Sequence, residues 1–390
     1  MAKLIDITGK AISGEWGNDD NAGTGIPVLR TTNFTNDGII SYSNVVTRNI
    51  QKKDLSQKFL QPGDIILEKS GGSDKQPVGR VVYYDGEPNR YLFNNFTGVL
   101  RVRNQDVWNT RYVFYALYGN YAKGGTRRYE NKTTGLHNLK TDQYVQGFFI
   151  QERPLKYQQE VVANLDKVTE LIALRKEQLA KLDQLVKSRF IELFGDPVDN
   201  PKGWKKDKAE NYIDLLSGFP FDSSKYTESG VNICGGLIIM PQRIEWGDCK
   251  HWCSIDGYEE YALNENDIVI ALDRPWISEG FKIAMVEAEH LPALLIQRTA
   301  RIRAIGLNQF YLMYCFLLGG FDKHCNVTGS LVPHISAKDI RSFAIMLPPI
   351  DLQEQFAAFV EQTDKLQLAI QQSLNKLELL KKSLMQEYFG

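Results

Sequence analysis

The sequence predicts an α+β fold built twice. Two similar mixed α/β domains with curved sheets are separated by two long helices, which pair as an antiparallel coiled coil about an internal pseudo-twofold axis. Three observations carry this expectation. Pro154 to Gly195 aligns without a gap with Pro349 to Gly390, at an offset of 195, half of the 390 residues. Weaker matches lie upstream, at offsets that fall steadily from 208 to 197, as a collinear duplication with changed loop lengths produces. Each aligned segment also carries apolar residues at intervals of three and four through a charged background.

The first domain, residues 1–153, opens on Ile5-Asp6-Ile7, matched by Ile213-Asp214-Leu215. Leu60-Gln61-Pro62-Gly63-Asp64-Ile65-Ile66-Leu67 is matched by Leu263-Asn264-Glu265-Asn266-Asp267-Ile268-Val269-Ile270, a turn running into a strand. Arg80 to Tyr84 reads as another strand, and Arg101-Val102-Arg103 is matched by Arg301-Ile302-Arg303. One short apolar helix is expected in each half, Asn109 to Tyr121 and Asn308 to Leu318. Gly135-Leu136-His137 lies opposite Val332-Pro333-His334. Short strands between loops rich in Gly, Asn, Asp and Ser favour a curved or barrel-like sheet over βαβ units.

The first spacer helix spans 154–195, the second domain 196–348 and the second spacer 349–390. Pro154 and Pro348-Pro349 suit a first helical turn, and Gly195 and Gly390 mark the exits. In the first helix Leu165, Val168, Ile172, Leu179, Leu182 and Val186 form the stripe, interrupted by Arg175. In the second it is Leu366, Ile370, Leu374, Leu377, Leu380 and Leu384. About 33 helical residues would span roughly 50 Å. A stripe that long needs a partner rod, and the other copy is the nearest. Further apolar positions outside the seam (Val161, Leu171, Leu174 and Leu185; Leu352, Phe356 and Phe359) are expected to dock partner helices.

Composition narrows the class. An apolar fraction of 43% and a charged fraction of 24% are those of an ordinary globular protein. No apolar run reaches the ~18 residues of a membrane span. The start, Met1-Ala2-Lys3-Leu4-Ile5-Asp6, is unlike a signal peptide, so the expected place is the cytoplasm. The net charge of −1 does not by itself announce a nucleic-acid partner, and any basic surface must be local. All five cysteines fall in the second half. Cys249, His251, Cys253, His324 and Cys325 could in principle surround a metal, but a lone Cys-x3-Cys is poor evidence, and reduced thiols with no metal are the preferred reading.

Several motifs now converge. They are Pro348-Pro349-Ile350-Asp351-Leu352-Gln353-Glu354-Gln355 and its counterpart Pro154-Leu155-Lys156-Tyr157-Gln158-Gln159-Glu160, the exit Phe194-Gly195-Asp196-Pro197, the opening Gly203-Trp204, and Thr328-Gly329-Ser330-Leu331-Val332-Pro333-His334-Ile335-Ser336 before the second spacer. With them the whole chain resembles the specificity (S) subunits of type I restriction-modification systems. The first domain departs from the pattern: it has no Gly-Trp opening, and its loop reads Thr133-Thr134-Gly135-Leu136-His137-Asn138. Its N-terminal edge is expected to be completed by other parts of the chain.

The resemblance implies a non-catalytic subunit whose two target-recognition domains each read one half of a bipartite, asymmetric site in double-stranded DNA, with the helices setting the gap. It implies that the chain itself holds no cofactor and carries two methyltransferase (M) subunits, which methylate adenine N6 with S-adenosylmethionine. Where restriction (R) subunits join, two are expected, using ATP and Mg. The alternatives are a coiled-coil adaptor, or a specificity module serving a different DNA methyltransferase or nuclease.

Candidate DNA-contacting residues come from loops rich in basic and amide side chains, which suit phosphate, guanine and adenine. In the first half these are Lys69, Ser70 and Lys75, then Arg127, Arg128, Asn131, Lys132 and His137. In the second they are Arg274 and Trp276, then Lys323, Asn326, Ser330 and His334. No Asn/Asp-Pro-Pro-Tyr/Phe motif and no Gly-Lys-Ser/Thr phosphate loop is present. Asp64 and Glu68 beside Lys69 could suggest a metal-dependent nuclease, but the second half offers Asp267, Ala271 and Leu272, so the carboxylate pair is not repeated.

Overall fold

A computed structural model describes residues 1–52, 54–133, 136–325 and 334–390. The chain divides into two compact units, Met1–Arg175 with Ser373–Gly390, and Lys176–Gln372. Among the described residues the four longest helices are α1 (Thr110–Ala122), α2 (Leu155–Phe194), α3 (Gln309–Leu318) and α4 (Ile350–Phe389). Among the described residues no helix is long and apolar enough to cross a membrane.

In the first unit an antiparallel sheet runs in the order Ile12–Ser13, Thr97–Leu100, Ile65–Glu68, Val81–Tyr83. Ile65, Leu67 and Leu100 point to the core beneath α1, where Tyr112, Val113 and Leu117 meet them. A second sheet places Ile26–Leu29 parallel to Leu92–Phe93. A third joins Glu130–Thr133, Leu136–Leu139 and Ser70–Gly72. The C-terminal part of α4 completes this unit: Phe389 lies 5.0 Å from the Tyr112 ring, and Lys123 Nζ donates to the Phe389 carbonyl at 3.4 Å.

The second unit repeats the plan. Its antiparallel sheet runs Ile213–Ser217, Thr299–Ala304, Ile268–Ala271, Ile283–Met285. Val231–Cys234 pairs in parallel with Ala293–Leu295, as its counterpart does in the first unit. Asn308 caps α3 by accepting from the backbone of Phe310 and Tyr311, as Asn109 caps α1 through Arg111 and Tyr112. The core gathers Phe190, Phe194, Tyr311 and Phe356, with Phe194 and Tyr311 centred 4.7 Å apart, so Phe356, like Val161 in the first unit's core, is buried in its own unit and not left to dock a partner helix.

α2 and α4 are each 40 residues long, about 60 Å. They exceed the roughly 33 residues expected to be helical and fill almost the whole of the spacers 154–195 and 349–390. Within the first unit Asn164 Nδ2 donates to the Tyr388 hydroxyl at 3.1 Å and Arg175 Nε to Ser373 Oγ at 3.3 Å. Within the second Gln367 Nε2 donates to Asp183 at 2.6 Å and Phe190 meets Phe356 at 5.4 Å. As one position rises the other falls, so the rods are antiparallel in both units.

The seam holds Leu165, Val168, Ile172 and Leu374 buried, and Leu179, Leu182, Ile370, Leu377 and Leu384 half-buried. Leu366 and Leu380 are corrections: they are 56% and 46% exposed. The buried register on α4 runs Phe356, Val360, Thr363 and on through Gln367, Ile370 and Leu374. One residue turns a helix by about 100°, so Leu366 stands off the seam beside the polar residue that occupies it.

Candidate nucleic-acid interface

Two ion pairs fix the frame of the candidate interface. Asp64, 1% exposed, accepts from Arg101 Nε and Nη2, both at 2.7 Å, and from the Gln61 backbone at 2.8 Å. Asp267 repeats this with Arg303 at 2.6 and 2.8 Å and the Asn264 backbone at 2.7 Å. Each carboxylate thus ties a turn to a strand. Glu68 is also buried and paired, with Arg80 Nη2 at 2.7 Å. The acids considered for a nuclease are occupied by arginines. Among the described residues, Cys249 Sγ and His251 Nε2 lie 3.8 Å apart but no third of the positions weighed for a metal joins them; the grouping of three metal-type ligands is instead Glu287, Glu289 and His290. Burial pushes the Cys315 and Cys325 thiols up to about 12.

In the first unit the structure brings both sequence-selected loops into one sheet. Asn138 pairs with Ser70 and His137 with Gly72, while Asn131 and Lys132 stand opposite Asn138 and His137 on the neighbouring strand. Arg127 and Arg128 occupy a single exposed turn, Arg127–Tyr129. Arg127 Nη2 donates to the Asp74 carbonyl at 3.1 Å, and the Arg128 guanidinium lies 4.9 Å from the Tyr129 ring centre. Lys75 and Asn131 are exposed, and Ser70 is half-buried. Lys69 is half-buried, and burial with Lys58 nearby lowers the pKa of its ammonium.

His137 faces inward. It is 5% exposed, with Nδ1 2.9 Å from the Glu130 carboxylate and Nε2 3.5 Å from Asp74. Glu130 also accepts from the Val78 backbone at 3.0 Å. The imidazole therefore ties the hairpin to the Ser73–Val78 loop and holds the basic residues around it in place.

In the second unit, Asp273 and His334 form a bridge, with Nδ1 2.7 Å from the Asp273 carboxylate. Arg298 reaches the same carboxylate at 3.3 Å. Arg274 is exposed with φ +47°. Trp276 packs inward instead, stacked on Phe281 at 5.1 Å and near Phe321 at 6.4 Å. Lys323 is exposed on the short helix Phe321–His324. Asn326 and Ser330 lie outside the described residues. Two residues in this unit escaped the sequence reading. Arg298 is exposed on a left-handed backbone, φ +65°, and Leu237 is 91% exposed at a turn. The Gly-Gly before Leu237 was the available signal for that turn.

A profile for the type I restriction modification DNA specificity domain matches residues 2–184 and 254–379. The EcoAI type I specificity subunit of Escherichia coli is 30% identical over 54% of this chain, a stretch that is 36% of its own length. The MjaVIII specificity subunit of Methanocaldococcus jannaschii is 23% identical over 78% of this chain and 76% of its own length. The crystal structure of a type I S subunit from M. genitalium superposes with a TM-score of 0.60 at 12% identity, covering 100% of this chain and 95% of that one. A chain from a structural study of complex assembly in the type I system gives 0.53 at 18%, covering 100% and 96%. These likenesses are of fold.

Proposed function

Because this chain belongs to the type I restriction-modification DNA specificity family, we propose that it is the subunit that reads a bipartite, asymmetric site in double-stranded DNA. The domains 1–153 and 196–348 each read one half-site, and the spacer helices set the unspecified gap between them. The observation that carries this reading is a repeated frame with unlike faces. The Asp64–Arg101 and Asp267–Arg303 pairs are shared. The residues above them are not: Glu68–Arg80 stands in one unit, while Ala271 and Lys282 stand in the other. Two readers with one scaffold and different side chains call for two different half-sites.

In this reading the chain supplies no chemistry. Two methyltransferase subunits bring S-adenosylmethionine and methylate adenine, and up to two restriction subunits bring ATP and Mg. The exposed leucines of the spacers, Leu174, Leu185, Leu366 and Leu380 among them, provide docking stripes for partner helices. The assembly works in the cytoplasm, where the DNA is. Methylome sequencing of cells with and without the gene tests the proposal. A modified adenine in a two-part, non-palindromic motif is expected, and a continuous or symmetric motif would refute it.

A further inference from the structure

The two units hold one loop by the same device and present different residues from it. In the first, Arg80 Nη2 donates to the Thr31 carbonyl at 3.3 Å and Nη1 to that of Phe34 at 3.2 Å, while Glu68 neutralises the guanidinium. The tip so presented is Thr32, a small polar residue. In the second, Lys282 occupies the place of Arg80 and donates to the Gly236 carbonyl. Lys282 is buried, and burial lowers its pKa. Gly235-Gly236-Leu237-Ile238 turns tightly over it, with Ile238 N donating to the Gly235 carbonyl at 3.1 Å. The tip residue is now Leu237, 91% exposed.

A leucine held in water by a pinned turn forgoes the burial that its side chain favours. Its surroundings identify what covers it. A β-carbon on Gly236 would come within 3.7 Å of the Arg298 carbonyl oxygen, so the turn lies against Arg298. Arg298 and Arg274 both sit on left-handed backbone, φ +65° and +47°, which residues with a β-carbon rarely adopt. They are linked through Asp273, which pairs with Arg298 and precedes Arg274 in the chain. An apolar tip on a turn that lies against Arg298, with the exposed Arg274 linked to that arginine through Asp273, suits a duplex, in which anionic phosphates flank an apolar base stack.

We propose that Leu237 is an apolar wedge that inserts at a base step of the half-site read by the second domain, with Arg298 and Arg274 on the neighbouring phosphates. This rests on the DNA-reading function proposed above. It adds that one half-site is locally unstacked, whereas the other, facing Thr32, is not.

The test uses the full chain assembled with its methyltransferase subunits, and duplexes carrying the motif found by methylome sequencing with 2-aminopurine at successive positions. Wild-type complex should raise the fluorescence at one step of one half-site. Leu237→Ala should abolish that rise and weaken binding about tenfold, and Leu237→Met should restore both. If the wild type binds without any rise, or Leu237→Ala binds as tightly, the wedge is wrong while DNA reading stands. If Leu237→Ala loses methyltransferase assembly instead, Leu237 belongs to a protein contact and the inference fails. If the wild type does not bind the duplex, both readings fall.

Discussion

The side chain of Gln158 accepts a hydrogen bond from the backbone N–H of Asn109 at 2.9 Å, and Gln353 does the same to Asn308, also at 2.9 Å. Both glutamines are almost fully buried. Gln158 Nε2 donates to the carbonyls of Val107 and Arg153, and Gln353 Nε2 to that of Pro348. A repeated residue at each spacer entrance thus fastens the rod to the N-cap of the domain helix. Replacing either by leucine strands several buried backbone groups, at about 1–3 kcal/mol each. Gln158→Leu and Gln353→Leu should each lower stability by about 3 kcal/mol in urea unfolding. Unchanged midpoints would remove the glutamines from this role.

Asp64 and Asp267 should behave as structural anions. Asp64→Ala leaves Arg101 without its carboxylate, and breaking such a buried pair costs about 3 kcal/mol. Thermal unfolding should show the loss with or without added Mg. A metal-dependent stabilisation of the wild type that disappears in Asp64→Ala would overturn this assignment.

The spacer leucines should separate into two kinds. Leu374 is buried in the first unit, so Leu374→Ala should cost about 2–3 kcal/mol. Leu366→Ala should change stability by less than about 0.5 kcal/mol, yet weaken binding of methyltransferase subunits in a pull-down titration. Equal losses of stability would put Leu366 back in the seam.

Partial desolvation, with Glu361 and Asp183 nearby, pushes the carboxyl of Asp364, a residue exposed on α4, up to about 6. The folded chain keeps a proton that the unfolded chain releases near pH 4, so stability should fall as pH rises from about 4 to 6. Asp364→Asn should raise Tm at pH 8 and leave it unchanged below pH 4. A Tm gain of equal size at both values would exclude the titration as its cause.

Arg127→Ala with Arg128→Ala should weaken DNA binding by the assembled complex and leave methyltransferase assembly intact. Each lost phosphate contact lowers the slope of log K against log salt by about 0.9. An unchanged slope would take this turn out of the interface.

Periodicity and repetition are local or self-referential signals, so the sequence by itself determined the duplication, the two rods, their antiparallel pairing and the family. It also marked the basic loops. The tertiary structure decided where those side chains go. Ser70 and Asn138 are 68 positions apart and meet only through strand pairing, which composition does not encode. Strand pairing likewise turns His137 toward Glu130 in the first unit and, between two other strands, Trp276 toward Phe281 in the second. Leu366 was misplaced because two apolar phases compete on α4, and only the facing rod selects the one through Thr363. Leu237 reads as core in any hydropathy pattern; its exposure follows from a glycine turn pinned by Lys282, 45 residues further along the chain.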